Sequence, residues 1–144
     1  MMIFSTPGVV TAHWHPEVDA VRMEWLTMLD SAALRAALDR GLRHAAGRGM
    51  TGWIVDTRGV DLTVAAADAT WLARDWMPRA LRSSLRRLAT VVPDGARTAR
   101  RRAGGIELAD VRTLGEALHW MAAVPAAAGA AATADLREEV GARG

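Results

Sequence analysis

The sequence predicts an α/β domain with a mixed β-sheet, an N-terminal antiparallel hairpin feeding βα units. Three observations carry this. Two segments near the start, Val9 to Trp14 and Ala20 to Leu26, alternate apolar and polar residues at period two, the pattern of strands with one buried face. Leu34, Leu38, Gly41, Leu42 and Ala45 recur at helical spacing and make one apolar stripe. Gly52-Trp53-Ile54-Val55-Asp56 is a short apolar run ending in an acid, followed by a polar, glycine-containing loop and then a helical pattern. That is how a buried strand hands over to its covering helix.

Taken in order, His15-Pro16-Glu17-Val18-Asp19 has turn chemistry and joins the first two strands into a hairpin. Asp30 or Ser31 caps the next helix, and Gly47 and Gly49 end it. Arg35, Asp39 and Arg43 lie on its outer face, spaced for i,i+4 pairing. It reads as a covering helix without a site. The central strand spans about Thr51 to Asp56, and Thr63 is the best N-cap for the helix after it. Ala69, Leu72 and Trp76 give that helix an apolar stripe, with Trp71 beside it. Pro78 falls inside the pattern, so a break or kink is expected near Trp76-Met77.

Leu88 to Val92 is a further buried strand closed by Pro93. Asp94 to Gly105, polar and arginine-rich, reads as a loop or a poor helix, and Ile106 to Leu108 as a last short strand. Thr113-Leu114-Gly115-Glu116 matches a capping box, opening a final helix with Leu114, Ala117, Leu118 and Met121 on its buried side. The expected division is an N-terminal extension over 1–8, one domain over 9–124, and an Ala/Gly-rich tail over 125–144.

Composition bounds the function classes. A 144-residue chain can form one domain with a sizeable core. With no cysteine, neither a disulfide framework nor a thiolate metal site can form. All 18 basic residues are Arg, and Lys and Tyr are absent, so a net charge of only +2 is enough to carry the computed pI to 10.8. No apolar run approaches the ~20 residues of a bilayer span, and the first residues lack the basic region and apolar core of a signal peptide. A cytoplasmic protein is the expectation.

The segments Trp53 to Arg58, Asp68, Trp71, Asp75-Trp76-Met77-Pro78-Arg79-Ala80 and Arg87 to Pro93 resemble small bacterial STAS-like proteins, the STAS/SEC14-like or SpoIIAA-like group. The resemblance covers roughly Val9 to Met121. It implies a STAS-type sheet, and for its regulatory members a non-catalytic module that binds a protein partner and is in some cases switched by phosphorylation. The departure lies at Asp61-Leu62-Thr63-Val64, where the hydroxyl stands one residue away from the position beside the acid.

Candidate site residues follow. Ligands in open α/β sheets sit beyond the carboxyl ends of the strands, which places Asp56 and Arg58 at the expected site, although Asp56 can equally cap its own loop. Thr63 is the candidate phosphoacceptor or, more simply, a helix cap. Asp75, Trp76 and Arg79 offer an interaction surface, or else a core tryptophan beside an ion pair. Arg79, Arg82, Arg86, Arg87, Arg97, Arg100, Arg101 and Arg102 form a basic run between Met77 and Gly105 opposed only by Asp94. No aromatic is interleaved with it and no nucleic-acid motif is present, which disfavours a nucleic-acid partner. His13 and His15, with Glu17, fall short of a metal site; His44 and His119 sit on the outer sides of their helices. No cofactor is implied. No nucleophile elbow or phosphate loop is present, which argues against an enzyme.

The expected function is a binding or regulatory module that engages a protein partner through the loop after the central strand; a homodimer is compatible with it. The rival is a small apolar-ligand or lipid-binding protein. The two differ in one observation. A ligand binder has a connected pocket lined by Trp53, Trp71, Trp76 and Met77, whereas a protein-binding module has a filled core and an exposed apolar patch.

Overall fold

The computed structural model of the chain describes residues 1–28, 30–60 and 64–123. Seven strands form one sheet: β1 (Met2–Thr6), β2 (Val10–His15), β3 (Ala20–Trp25), β4 (Gly52–Asp56), β5 (Arg87–Val91), β6 (Arg100–Ala103) and β7 (Ile106–Val111). Their order across the sheet is β1-β2-β3-β4-β5-β7-β6, which puts the tryptophan-led strand in the middle. β3, β4, β5 and β7 run parallel, and antiparallel pairs flank them at both edges. The α/β class and the mixed sheet are as the sequence predicts.

Strand alternation divides the core in two. On one face, Met23 and Trp25 of β3, Trp53 and Val55 of β4, and Leu88 of β5 pack beneath helix α1 (Ser31–Arg48) and a second helical run. On the other face Ile54, Ala89 and Val91 pack against Ala117 and Met121 of helix α4, which occupies 114–123. The two predicted helical stripes are the two buried faces.

Local chemistry explains most element ends. The Asp30 side chain accepts from the Ala33 amide at the start of α1, and Gly49 closes that helix in the left-handed conformation at φ 65°. Ser31 does not cap; its hydroxyl is used elsewhere. At α4, Thr113 Oγ1 accepts from the Glu116 amide at 3.0 Å, while the Glu116 carboxylate reaches back to the amide of Arg112 at 3.4 Å. The second half of that capping box is therefore displaced by one residue.

Four expectations are corrected. Residues 1–8 hold an edge strand paired with β2. The arginine-rich 94–105 segment contains β6, neither a loop throughout nor a helix. Consecutive arginines give no apolar alternation to read, yet charge on an edge strand is how sheets keep their rims unpaired. The helix after β4 starts at Ala66, with Ala65 at its N-cap and no side-chain cap; Thr63 and the proposed phosphoacceptor role lie outside the described residues. Finally, of the break or kink expected near Trp76-Met77, a break does not occur; the helix changes type there instead. The chain runs from α2 (Ala66–Trp71) through a π-helical segment (Leu72–Trp76) into α3 (Met77–Leu81). The Met77 amide donates to Leu72 O, five residues back, so the wider turn comes just before proline, which needs no amide partner in the next turn. The Ala/Gly-rich tail over 125–144 also lies outside the described residues, and among the described residues no helix is long and apolar enough to cross a membrane.

Candidate functional site

The carboxyl end of β4 is where the sequence places the site. Asp56 stands there, but it is only 2% exposed. Arg58, two residues on, folds back over it. Its Nε donates to Oδ1 at 3.0 Å, a terminal nitrogen donates to Oδ2 at 2.8 Å, and its amide reaches Oδ1 at 3.3 Å. Arg22, on the neighbouring strand, approaches Oδ2 at 3.8 Å. Burial pushes the Asp56 carboxyl up, but the hydrogen bonds and charge of Arg58, with the charge of Arg22, outweigh it and hold the pKa below its ordinary value. The aspartate thus caps its own loop, and its acceptors are occupied. The expected open rim is a shallow depression bordered by Glu24, Leu26, Asp56 and Arg58, and what it offers outward is Glu24, Leu26 and Arg58.

The Asp75, Trp76 and Arg79 group resolves into core and ion pair. Trp76 is buried, and Arg79 Nε donates to Asp75 Oδ1 at 2.9 Å. Arg79 also reaches Asp39 of α1 at 2.7 Å. Arg35 likewise leaves its own helix to meet Asp68 at 2.8 Å. The i,i+4 pairing expected along α1 is replaced by ties between helices. Asp68 is fully buried and also accepts from the Ser31 hydroxyl at 2.6 Å.

The basic run is partly neutralised by acids outside it: Arg87 and Arg102 pair with Glu107, and Arg101 with Asp110. His15 is engaged at both ring nitrogens, by Glu17 at 3.0 Å and by the Arg22 guanidinium at 3.0 Å. Among the described residues no group of three metal-ligating side chains comes together. His44, on the outer side of α1, stacks on Phe4 with ring centroids 5.9 Å apart.

The most apolar feature lies elsewhere, on the α1 side of the sheet. An apolar cavity of about 260 Å³ opens between the central strands and the two helical runs above them. Its floor is Trp25, Trp53, Val55, Leu88, Thr57 and Thr90; its roof is Leu34 and Leu38 of α1 with Leu72, Trp76 and Met77 of the second run. Met28 and Val64 complete the wall, which is almost wholly hydrocarbon. Thr57 spends its hydroxyl on Val91 O at 2.8 Å. Val55 belongs to the middle strand of the sheet and is nonetheless only partly buried, because this space lies against it.

Of the residues named in advance for such a pocket, Trp53, Trp76 and Met77 line it and Trp71 does not. Trp71 instead faces the guanidinium groups of Arg35 and Arg79, 5.3 and 5.9 Å from its ring centre. Sequence reasoning missed Leu34 and Leu38, having read α1 as cover only. It also missed Trp25, although the alternation of β3 puts Trp25 and Met23 on the face that Trp53 shares.

Compared with models of protein families, with curated proteins and with solved structures, the chain matches none of them.

Proposed function

We propose that this protein is a non-catalytic binder of a small apolar ligand, held between the middle of the sheet and the helical run 66–81. One observation carries the reading: a cavity of about 260 Å³, walled by three tryptophans and aliphatic side chains. Protein interiors pack to crystal-like density and keep few voids larger than a water molecule. A dry apolar cavity of about 150 Å³ is enough to hold benzene, so this one suits a bicyclic or short branched hydrocarbon skeleton. Among the described residues no charged side chain lines it. An ionised group would be buried there without a partner, at a cost of several kcal/mol.

The STAS-like kinship belongs with this proposal and rests on the residue pattern at 53–58 and 75–80. A protein partner at the end of β4 is the weaker reading. The large apolar side chains exposed among the described residues are Met1 and Met2 at the start of β1, Leu26 just after β3 and Leu81 at the end of α3. Asp56, on which that reading leaned, is covered by Arg58.

The test is titration with naphthalene, followed by calorimetry and by the amide spectrum, in the natural protein and in a Leu72→Trp variant that fills the space. Saturable binding that perturbs Val55, Leu88 and Met77, and that the variant loses while staying folded, supports the assignment. Absence of binding, or equal binding by the filled variant, refutes it.

A further inference from the structure

Three indoles line the cavity, and they differ in one respect. Trp76 donates its Nε1–H to Leu38 O at 3.1 Å. Trp25 and Trp53, respectively 1% and 0% exposed, bury their indole nitrogens with no acceptor among the described residues. A buried indole N–H is normally paired, because leaving it bare forfeits the hydrogen bond it made to water. Trp14, outside the cavity, also buries its indole nitrogen without an acceptor among the described residues, so a bare N–H is not peculiar to this site; what sets the cavity apart is that two of the three belong to its lining residues.

Resting on the apolar-ligand reading above, we infer that the ligand is an uncharged hydrocarbon skeleton carrying one hydrogen-bond acceptor, a ketone, ester or ether oxygen, which takes the indole N–H of Trp25 or Trp53. Donor groups on the ligand have little to bind. Among the described residues, the polar side chains in the wall apart from the indoles are Thr57 and Thr90, and Thr57 already donates to Val91 O. Among the same residues a charged group finds no counter-ion in the wall. The bond requires one of these rings to turn its N–H into the cavity on binding; Trp53 meets Trp76 edge-on, with ring centres 5.2 Å apart at 70°.

The experiment compares tetralin with 1-tetralone, which share a skeleton and differ by one carbonyl oxygen, while the six indole N–H resonances of the ¹⁵N-labelled full chain are followed. The ketone is expected to bind about tenfold more tightly, the yield of one added hydrogen bond to a buried donor. The Trp25 or Trp53 indole proton, assigned with Trp25→Phe and Trp53→Phe, should move downfield with the ketone only. The matching Phe variant should lose the ketone's advantage and keep tetralin binding. Equal affinity of the two compounds, with both indole protons unmoved, overturns the acceptor inference and leaves the apolar-ligand reading standing. Failure of both compounds to bind overturns the two together. Should a Phe variant not fold, through-space contacts of each indole proton in the natural chain supply the assignment, and the tetralin–tetralone comparison still decides.

Discussion

Trp76 donates its indole N–H to the main-chain oxygen of Leu38 at 3.1 Å, hanging the π-helical segment from α1 directly above the cavity that both residues line. The bond joins residues 38 positions apart, and it fixes the height of the roof over Trp53. Replacing Trp76 by Phe removes the donor and part of a buried ring. Stability should fall by about 2–3 kcal/mol from the lost hydrogen bond and the enlarged void. Chemical denaturation measures this; a loss below about 0.5 kcal/mol would show that the roof does not depend on the tie.

A second tie sets the pH response. The Ser31 hydroxyl donates to Asp68, burial opposes ionisation, and Arg35 adds its hydrogen bond and charge; the net effect holds the Asp68 carboxyl below the usual aspartate range. A depressed folded-state pKa means that the unfolded chain takes up its proton first. The stabilisation is therefore complete above the ordinary aspartate pKa and disappears as pH falls through the lower, folded value. Asp56 acts in the same direction. Denaturation midpoints should decline in acid, and Asp68→Asn should flatten part of that decline while lowering the neutral-pH value. A variant curve parallel to the natural one at every pH would remove Asp68 from the account.

At the end of β4, Asp56 and Arg58 make a forked pair whose carboxylate is buried and whose guanidinium is 45% exposed. Because one partner is half in water, the pair itself is worth little, but removing Arg58 leaves Arg22 at 3.8 Å as the nearest cation to a buried carboxylate. Arg58→Ala should therefore cost more than a surface ion pair does, about 1–2 kcal/mol, and Asp56→Asn less than Asp56→Ala, since asparagine keeps an acceptor for the Arg58 amide. Thermal melts of the three variants give the order. Ligand binding in the cavity should survive all three, because none of these residues but Thr57 and Val55 beside them touches it.

Much of this architecture was legible because the signals are local. The cap at Asp30, the stop at Gly49 and the alternation of Trp53 with Ile54 each act within a few residues. β1 and β6 were not legible. Met2–Thr6 is short, and Arg100–Ala103 carries three arginines, so each is a strand only because an edge accepted it. The cavity was half legible. Trp53, Trp76 and Met77 could be proposed as a set from their bulk, but the void arises from how closely the π-helical segment settles on β4 and β5. That depends on partners 30 or more residues away: Asp68 with Ser31 and Arg35, Arg79 with Asp39, Trp76 with Leu38. The burial of Asp56 was hidden for a different reason, since a terminal acid followed two residues later by arginine reads equally as an open site or a closed pair.

Gly41 bears on the cavity from the other side. It is the point where α1 comes nearest the sheet: a Cβ added there would lie 2.5 Å from Trp53 Cη2 and 3.2 Å from Met23 Sδ. The indole is stiff and its remaining free side is the cavity it lines, so Gly41→Ala should drive the ring toward that space or lift α1 off the strand. Overpacking of this kind costs about 1–3 kcal/mol, and the better helix propensity of alanine returns up to about 1. A net loss of about 1–2 kcal/mol is expected, with naphthalene affinity falling at the same time because the ring now occupies part of the site. Gly47 has no atom within 4 Å of an added Cβ and serves as the control: Gly47→Ala should raise stability slightly and leave binding unchanged. If Gly41→Ala matches that control in both stability and affinity, Trp53 does not form the floor of the binding site.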